Sequence, residues 1–215
     1  MAIGKKVQEV EVMLPKLNLE EMDIPIVGDT PLITHAWSAK AIKEILDKQM
    51  KKATAGREAK NPEQDYEQAL YRLKGGGYGF PSVGFKCAAV TACTSLAGMT
   101  KVAARQAFRV VGELGVVKTV FNGSEMRTDM VRIEGEPEMR EDMVRVGMGT
   151  ADIHYRPQFF PWKAMLHVIF NGNVLSRSQI VNLFATAGFA VGVGEWRPEK
   201  DGQYGCFHVA KTSEK

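Results

Sequence analysis

The segment that most constrains the fold lies near the C-terminus. Trp162, Ala164, Leu166, Val168 and Phe170 alternate with Lys163, Met165, His167 and Ile169. This is the two-residue period of a strand that buries one face. Asn171-Gly172 ends it in a turn. Ser176 then caps a helix that turns Ile180, Val181, Leu183 and Phe184 inward and ends at Gly188. A glycine-rich stretch leads to a last strand over 204–210. Strand, helix, strand within about 50 residues is half of a split β-α-β arrangement. The pattern predicts an α+β chain with a ferredoxin-like or RRM-like antiparallel sheet and a large helical and β insertion.

Upstream, Val10, Val12 and Leu14 alternate with polar neighbours before Pro15, and Ile24, Ile26 and Val27 precede a Gly28-Asp29-Thr30-Pro31 turn. Ser38 heads a helix with Ala39, Ile42, Ile45, Leu46 and Met50 on its inward face, ending near Gly56. Asn61-Pro62 starts a second helix through Tyr66, Leu70 and Leu73. Residues 75–81 are too glycine-rich to continue it and read as a loop. Ser82 caps a small-residue helix over 83–97. Thr100 opens another to Leu114, which lines Lys101, Arg105 and Arg109 along one face, and Gly115 stops it. Residues 116–150 read as β-rich, with strands at 116–120, 130–133 and 143–146. The whole chain, 1–215, is expected to be one domain, with its core in 1–35 and 151–215 and an elaboration in 36–150.

Charged residues are 25% and hydrophobic residues 45% of the chain, which excludes wholesale disorder. The apolar run 87–99 is short and rich in Thr and Ser, so no membrane segment is expected. Three cysteines without a C-x-x-C exclude a disulfide scaffold and a zinc ribbon, and imply a reducing cytoplasmic setting. Residues 36–118 hold 14 basic against 7 acidic residues, whereas 1–35 and 119–150 are each net −3. That segmentation permits attraction to a polyanion, although lysine-rich helix faces are also ordinary solvated surface.

The densest motif is the stretch 187–209. Gly188, Gly192 and Gly194 precede Trp196-Arg197-Pro198, and Gly202 and Gly205 follow. Backbone N–H groups, Arg197 and Lys200 can approach phosphates there, with Trp196 and Tyr204 able to stack on bases. The alternative is a tight connection whose glycines serve turns and whose Trp196 packs on the sheet. Neither a P-loop nor a Rossmann fingerprint is present. The 75–81 loop joins Lys74 to Tyr78 and Phe80, with Lys86 beyond, and reads either as a finger reaching nucleic acid or a neighbouring copy, or as a linker. His35, His154, His167 and His208 are scattered without metal spacing, although His167 and His208 fall on strands that can pair. Cys87 and Cys93 read as buried small hydrophobes. The acids of 136–142 read as a solvated charge run. No metal, cofactor or catalytic residue is expected, and a nuclease using His154 or His208 is a remote alternative.

The Gly-x-Gly, the short basic segment and the following Gly-x-x-Gly before a final strand resemble the glycine-rich loop of repeat-associated RNA-binding (RAMP) proteins, the backbone subunits of CRISPR effectors. Thr30-Pro31-Leu32, Pro81 before the small-residue helix and Arg156-Pro157-Gln158-Phe159 are similar to segments of short phage-encoded proteins. Glu195 and Glu199 depart from the RAMP pattern by placing acids in the basic loop. The resemblance implies non-catalytic binding of single-stranded RNA or DNA by copies assembled along the strand. The nominated contacts are Lys74, Tyr78, Phe80, Lys86, Lys101, Arg105, Arg109, Arg156, Lys163, Trp196, Arg197 and Lys200. The alternative is a phage assembly factor or CRISPR inhibitor that contacts protein.

Overall fold

The computed structural model describes residues 16–52, 60–96, 98–116, 125–145, 149 and 151–211. The expected strand at Val10, Val12 and Leu14 lies outside them, as does most of 116–120. In chain order the elements are β1 (Leu19–Gly28), β2 (Leu32–Ile33), α1 (Ala39–Gln49), α2 (Pro62–Ala69), β3 (Tyr78–Pro81), α3 (Ser82–Ala92), α4 (Lys101–Ala107), β4 (Phe108–Val111), β5 (Leu114–Val116), β6 (Glu125–Arg127), β7 (Met130–Glu134), β8 (Pro137–Arg145), β9 (Ala151–Phe159), β10 (Lys163–Asn171), α5 (Arg177–Ala190) and β11 (Phe207–Val209).

The chain is α+β. β1 lies at the centre of the main sheet, antiparallel to β10 from Leu19↔Asn171 to Val27↔Lys163, with β11 on its other side. β4 pairs with one half of β10, from Phe108↔Phe170 to Val111↔His167, and β7 with the other half at Lys163↔Glu134 and Ala164↔Ile133. The order β11-β1-β10-β4, with α3 between β1 and β4 in sequence and α5 between β10 and β11, is that of a ferredoxin-like sheet. β4 and β3 enter this sheet from within 36–150. A second sheet, β2-β9-β8, carries a long β8–β9 hairpin.

The alternation in β10 works as its sequence demands. Ala164, Leu166, Val168 and Phe170 are buried with Ile24 and Ile26 of β1, Phe108 of β4, Phe207 of β11 and the inner faces of α3 and α5. α5 carries a full capping box, the Ser176 hydroxyl accepting from the Gln179 N–H and the Gln179 side chain accepting from the Ser176 N–H. Ile180, Leu183, Phe184 and Ala187 form its buried stripe.

Several local expectations give way to tertiary contacts. Residues 78–81 are not a loop but strand β3, with Tyr78↔Ile133 and Phe80↔Val131 in register. Phe80 is buried, its ring edge-on to Tyr71 and Phe85, and Tyr78 meets Phe159 at 5.5 Å between ring centres. Those rings therefore pack inside their own subunit and are not a finger for a neighbour. The helix from Thr100 ends at Ala107, because Phe108 and Val110 gain a buried place in β4 against β10. Arg109 thus leaves the Lys101–Arg105 helix face for an exposed strand position. α1 keeps its Ser38 cap but stops at Gln49, and Ile42, Ile45, Leu46 and Met50 are exposed instead of inward. α2 stops at Ala69 and α3 at Ala92, and Ser82 is the first residue of α3, with Pro81 in the cap position. Gly188 sits inside α5 against Phe207, and the helix continues to Ala190. His167 and His208 flank opposite sides of β1 and are not neighbours.

This layout sets a stability contrast. Phe80→Ala should cost about 3 kcal/mol or more, while Ile42→Ala on the exposed face of α1 should cost within about 0.5 kcal/mol, both read from denaturant midpoints at constant m-value.

Candidate functional site

The glycine-rich loop 192–205 is folded onto its own chain. Val193 N–H donates to the Gly205 carbonyl, Gly205 N–H to Pro31, Glu195 N–H to Ile33 and Tyr204 N–H to Trp196. Gly194 and Gly205 have φ of +79° and +68°, and a Cβ at either would overlap a carbonyl oxygen, of Ile33 and Val193 respectively. These glycines serve close backbone packing. Arg197 is spent inside the loop: its Nε and Nη2 reach Glu199 Oε2 at 3.0 and 2.8 Å, and its Nη1 reaches the Gly194 carbonyl at 3.0 Å. Burial pushes the Glu199 carboxyl up, but the bonds from Arg197 prevail and hold it below the usual range.

The loop forms one wall of an open cleft of about 200 Å³, with α3 opposite and the residues after β2 at one end. His35, Tyr71, Cys87 and Glu195 bring polar groups to it. Cys87 is exposed at this wall and only Cys93 is buried, so the pair is not uniformly core. His35 Nδ1 lies 4.0 Å from Glu195 Oε1, and the His35 ring is edge-on to His154 at 6.1 Å.

Behind the cleft lies a charged network that the sequence reading took for a solvated run. Arg140 and Arg156 are directly opposed in the β8–β9 register, and Asp142 is buried between them. Arg140 Nε donates to Asp142 Oδ1 at 2.7 Å and Nη1 to Gln158 at 2.9 Å, while its guanidinium lies 4.7 Å from the centre of the Tyr204 ring. Arg156 Nη1 is 3.8 Å from Asp142 Oδ2, and Nη2 bonds His154 Nδ1 at 2.9 Å. An arginine has no acceptor, so His154 Nδ1 must accept and its proton sits on Nε2, toward Asp152 at 3.7 Å. Burial, then the Arg156 charge, holds both His35 and His154 below the ordinary histidine value, with Glu195 partly opposing this at His35 and Asp152 at His154.

The nominated contacts divide. Arg156 is 6% exposed and Phe80 8%, so neither can touch a strand. Tyr78 is half-buried in β3, and Arg197 is engaged as above. Lys163 lies on the outer face of β10 opposite Glu134. Lys74 and Lys200 are exposed at turns, and Trp196 is 44% exposed. Lys86 on α3, Lys101 and Arg105 on α4 and Arg109 on β4 are at least partly exposed and, among the described residues, make no ion pair. By contrast Arg72, Arg132, Arg140, Arg177 and Lys60 pair with Glu67, Glu113, Asp142, Glu20 and Asp152. The cause is compositional: between Glu67 and Glu113 the chain contains no acidic residue.

Phe189, 84% exposed on α5, was missed, although its position off the Ile180–Phe184–Ala187 stripe marks it as outward. The outer face of the sheet offers Asp23, Pro25, Met165, His167, Ile169 and Arg109 and no Phe, Tyr or Trp on β1, β4, β10 or β11, so it lacks the large rings on which bases stack. Among the described residues no three His, Cys, Asp or Glu side chains gather as a metal site, and no helix is long and apolar enough to cross a membrane.

No protein-family model matches the sequence, and no curated protein is similar to it. Among solved structures the chain is similar to Cmr6 from Pyrococcus furiosus, at 9% identity and a TM-score of 0.40, over 91% of this chain and 100% of that one. A likeness this distant carries no functional inference.

The depressed histidines make stability depend on pH. The neutral rings belong to the fold, so their contribution is complete above about pH 6.5 and is lost as pH falls through their lower folded-state values. The melting temperature should fall between pH 7.5 and 5.5, and His35→Asn with His154→Asn should flatten that slope. An unchanged slope in the double variant would show that these rings are not its source.

Proposed function

We propose that the protein binds single-stranded nucleic acid without acting on it chemically, and that copies assemble along the strand. The observation that carries this is the cationic surface of Lys86, Lys101 and Arg105 on two helices that pack together, α3 and α4, while Arg109 lies on the outer face of the sheet. Unpaired guanidinium and ammonium groups on a rigid support suit phosphates spaced along a backbone, and contacts of this kind are insensitive to sequence. Trp196 and Phe189 are two of the exposed rings and supply stacking in this reading. Arg197 supports the reading only indirectly, by holding the loop that displays Trp196.

Three phosphate contacts predict a log–log salt slope of about −2, or roughly a 20-fold loss of affinity between 50 and 200 mM salt. Fluorescence anisotropy with single-stranded RNA and DNA oligomers measures it. Lys101→Glu with Arg105→Glu should weaken binding at least about tenfold with no change in melting temperature. Trp196→Ala should cost about 1–3 kcal/mol of binding if its ring stacks. No anisotropy change with either nucleic acid at low salt overturns the proposal. The second reading, a phage assembly factor or CRISPR inhibitor that contacts protein, draws on the apolar residues left exposed on α1.

A further inference from the structure

Two apolar patches are left uncovered on opposite kinds of element. On α1 and just before it, Trp37, Ile42, Ile45, Leu46 and Met50 are 69%, 55%, 41%, 50% and 48% exposed. On the β8–β9 hairpin, Met139, Met143 and Ile153 are 52%, 79% and 37% exposed. Met143 is directly opposite Ile153 in register, and Met139 lies two pleats along on the same face. Exposed apolar groups clustered on one face in this way, with Glu141 between Met139 and Met143 on the hairpin, mark an interaction site.

We propose that these two patches are the two halves of one interface, α1 of one copy seated on the β8–β9 hairpin of the next. Three features select a second copy as occupant. The lengths match: eight residues of helix from Ile42 to Met50 rise about 12 Å, and four residues of strand from Met139 to Met143 span about 13 Å. The charges are complementary: 39–52 carries Lys40, Lys43, Lys48, Lys51 and Lys52 against Glu44 and Asp47, while Glu141 is exposed between the two methionines on their own face, with Glu136 just before the strand and Arg145 at its end. A lysine bordering the helix stripe thus meets Glu141 within the methionine face, which fixes orientation and speeds encounter more than it adds affinity. The chemistry suits as well, because flexible methionines mould to a helix surface. The contact is head-to-tail, so each copy offers one donor and one acceptor face and the assembly continues instead of closing on a two-fold axis. This rests on the assembly half of the proposal above and does not need nucleic acid.

Sedimentation velocity of the full chain without nucleic acid, from about 5 to 200 µM, tests the interface. The native protein should show weight-average mass rising with concentration. Leu46→Asp and Met143→Lys, each with unchanged circular dichroism and melting temperature, should each remain monomeric. An equimolar mixture of the two should form a dimer and go no further, since one intact half of the interface survives on each variant. A monomeric native protein at 200 µM overturns the proposal. So does an effect from Leu46→Asp alone, which is the signature of a symmetric α1–α1 contact, an effect from Met143→Lys alone, or a mixture that stays monomeric. Anisotropy with an oligonucleotide, run on the same variants, reads nucleic-acid binding separately, so failure of the interface is distinguishable from failure of the binding reading.

Discussion

The nine-residue ladder between β1 and β10 is the constraint on which the rest of the molecule depends. It joins residues far apart in sequence, and it sets in one step which side chains face the helices: Ile24 and Ile26 from one strand, Ala164, Leu166, Val168 and Phe170 from the other. A one-residue slip would turn all of these to water. β11 and β4 take their places on either side of this pair, and α3 and α5 cover the face that it makes apolar. The opposite face keeps Asp23, His167 and Arg109 and carries no Phe, Tyr or Trp.

Two populations of cation follow from local composition. Where acids are near, arginines are consumed: Arg140 and Arg156 share Asp142, and Arg197 folds back on Glu199. The Arg140–Asp142–Arg156 network costs desolvation and leaves Arg156 Nε and Nη1 and Asp142 Oδ2 without hydrogen bonds. It links the hairpin to Tyr204 of the glycine-rich loop, so its role is to fix how those parts meet. Where acids are missing, across α3, α4 and β4, the cations Lys86, Lys101, Arg105 and Arg109 make no ion pair among the described residues. The same principle of unmet surface applies to α1 and the hairpin, where apolar groups in place of charges lack a partner.

Much of the fold was legible in the sequence because it rests on short-range rules. The β10 alternation, the Ser176 capping box, the Ser38, Asn61 and Thr100 caps and the β-α-β order at the C-terminus depend on periodicity and on hydrogen bonds within a few residues. The free cations Lys86, Lys101 and Arg105 were legible too, since charge is a property of the residue. Tertiary structure decided the rest. Phe108 and Val110 are compatible with helix or strand until β10 offers them a buried partner, and Tyr78 and Phe80 leave their glycines for β3 only because β7 is there to pair with them. Arg156, identical in sequence terms to any surface arginine, is buried because Arg140 and Asp142 meet it across a register that no local pattern records, with His154 two residues back on its own strand. Propensity and capping act over a few residues, whereas burial depends on which distant strands meet.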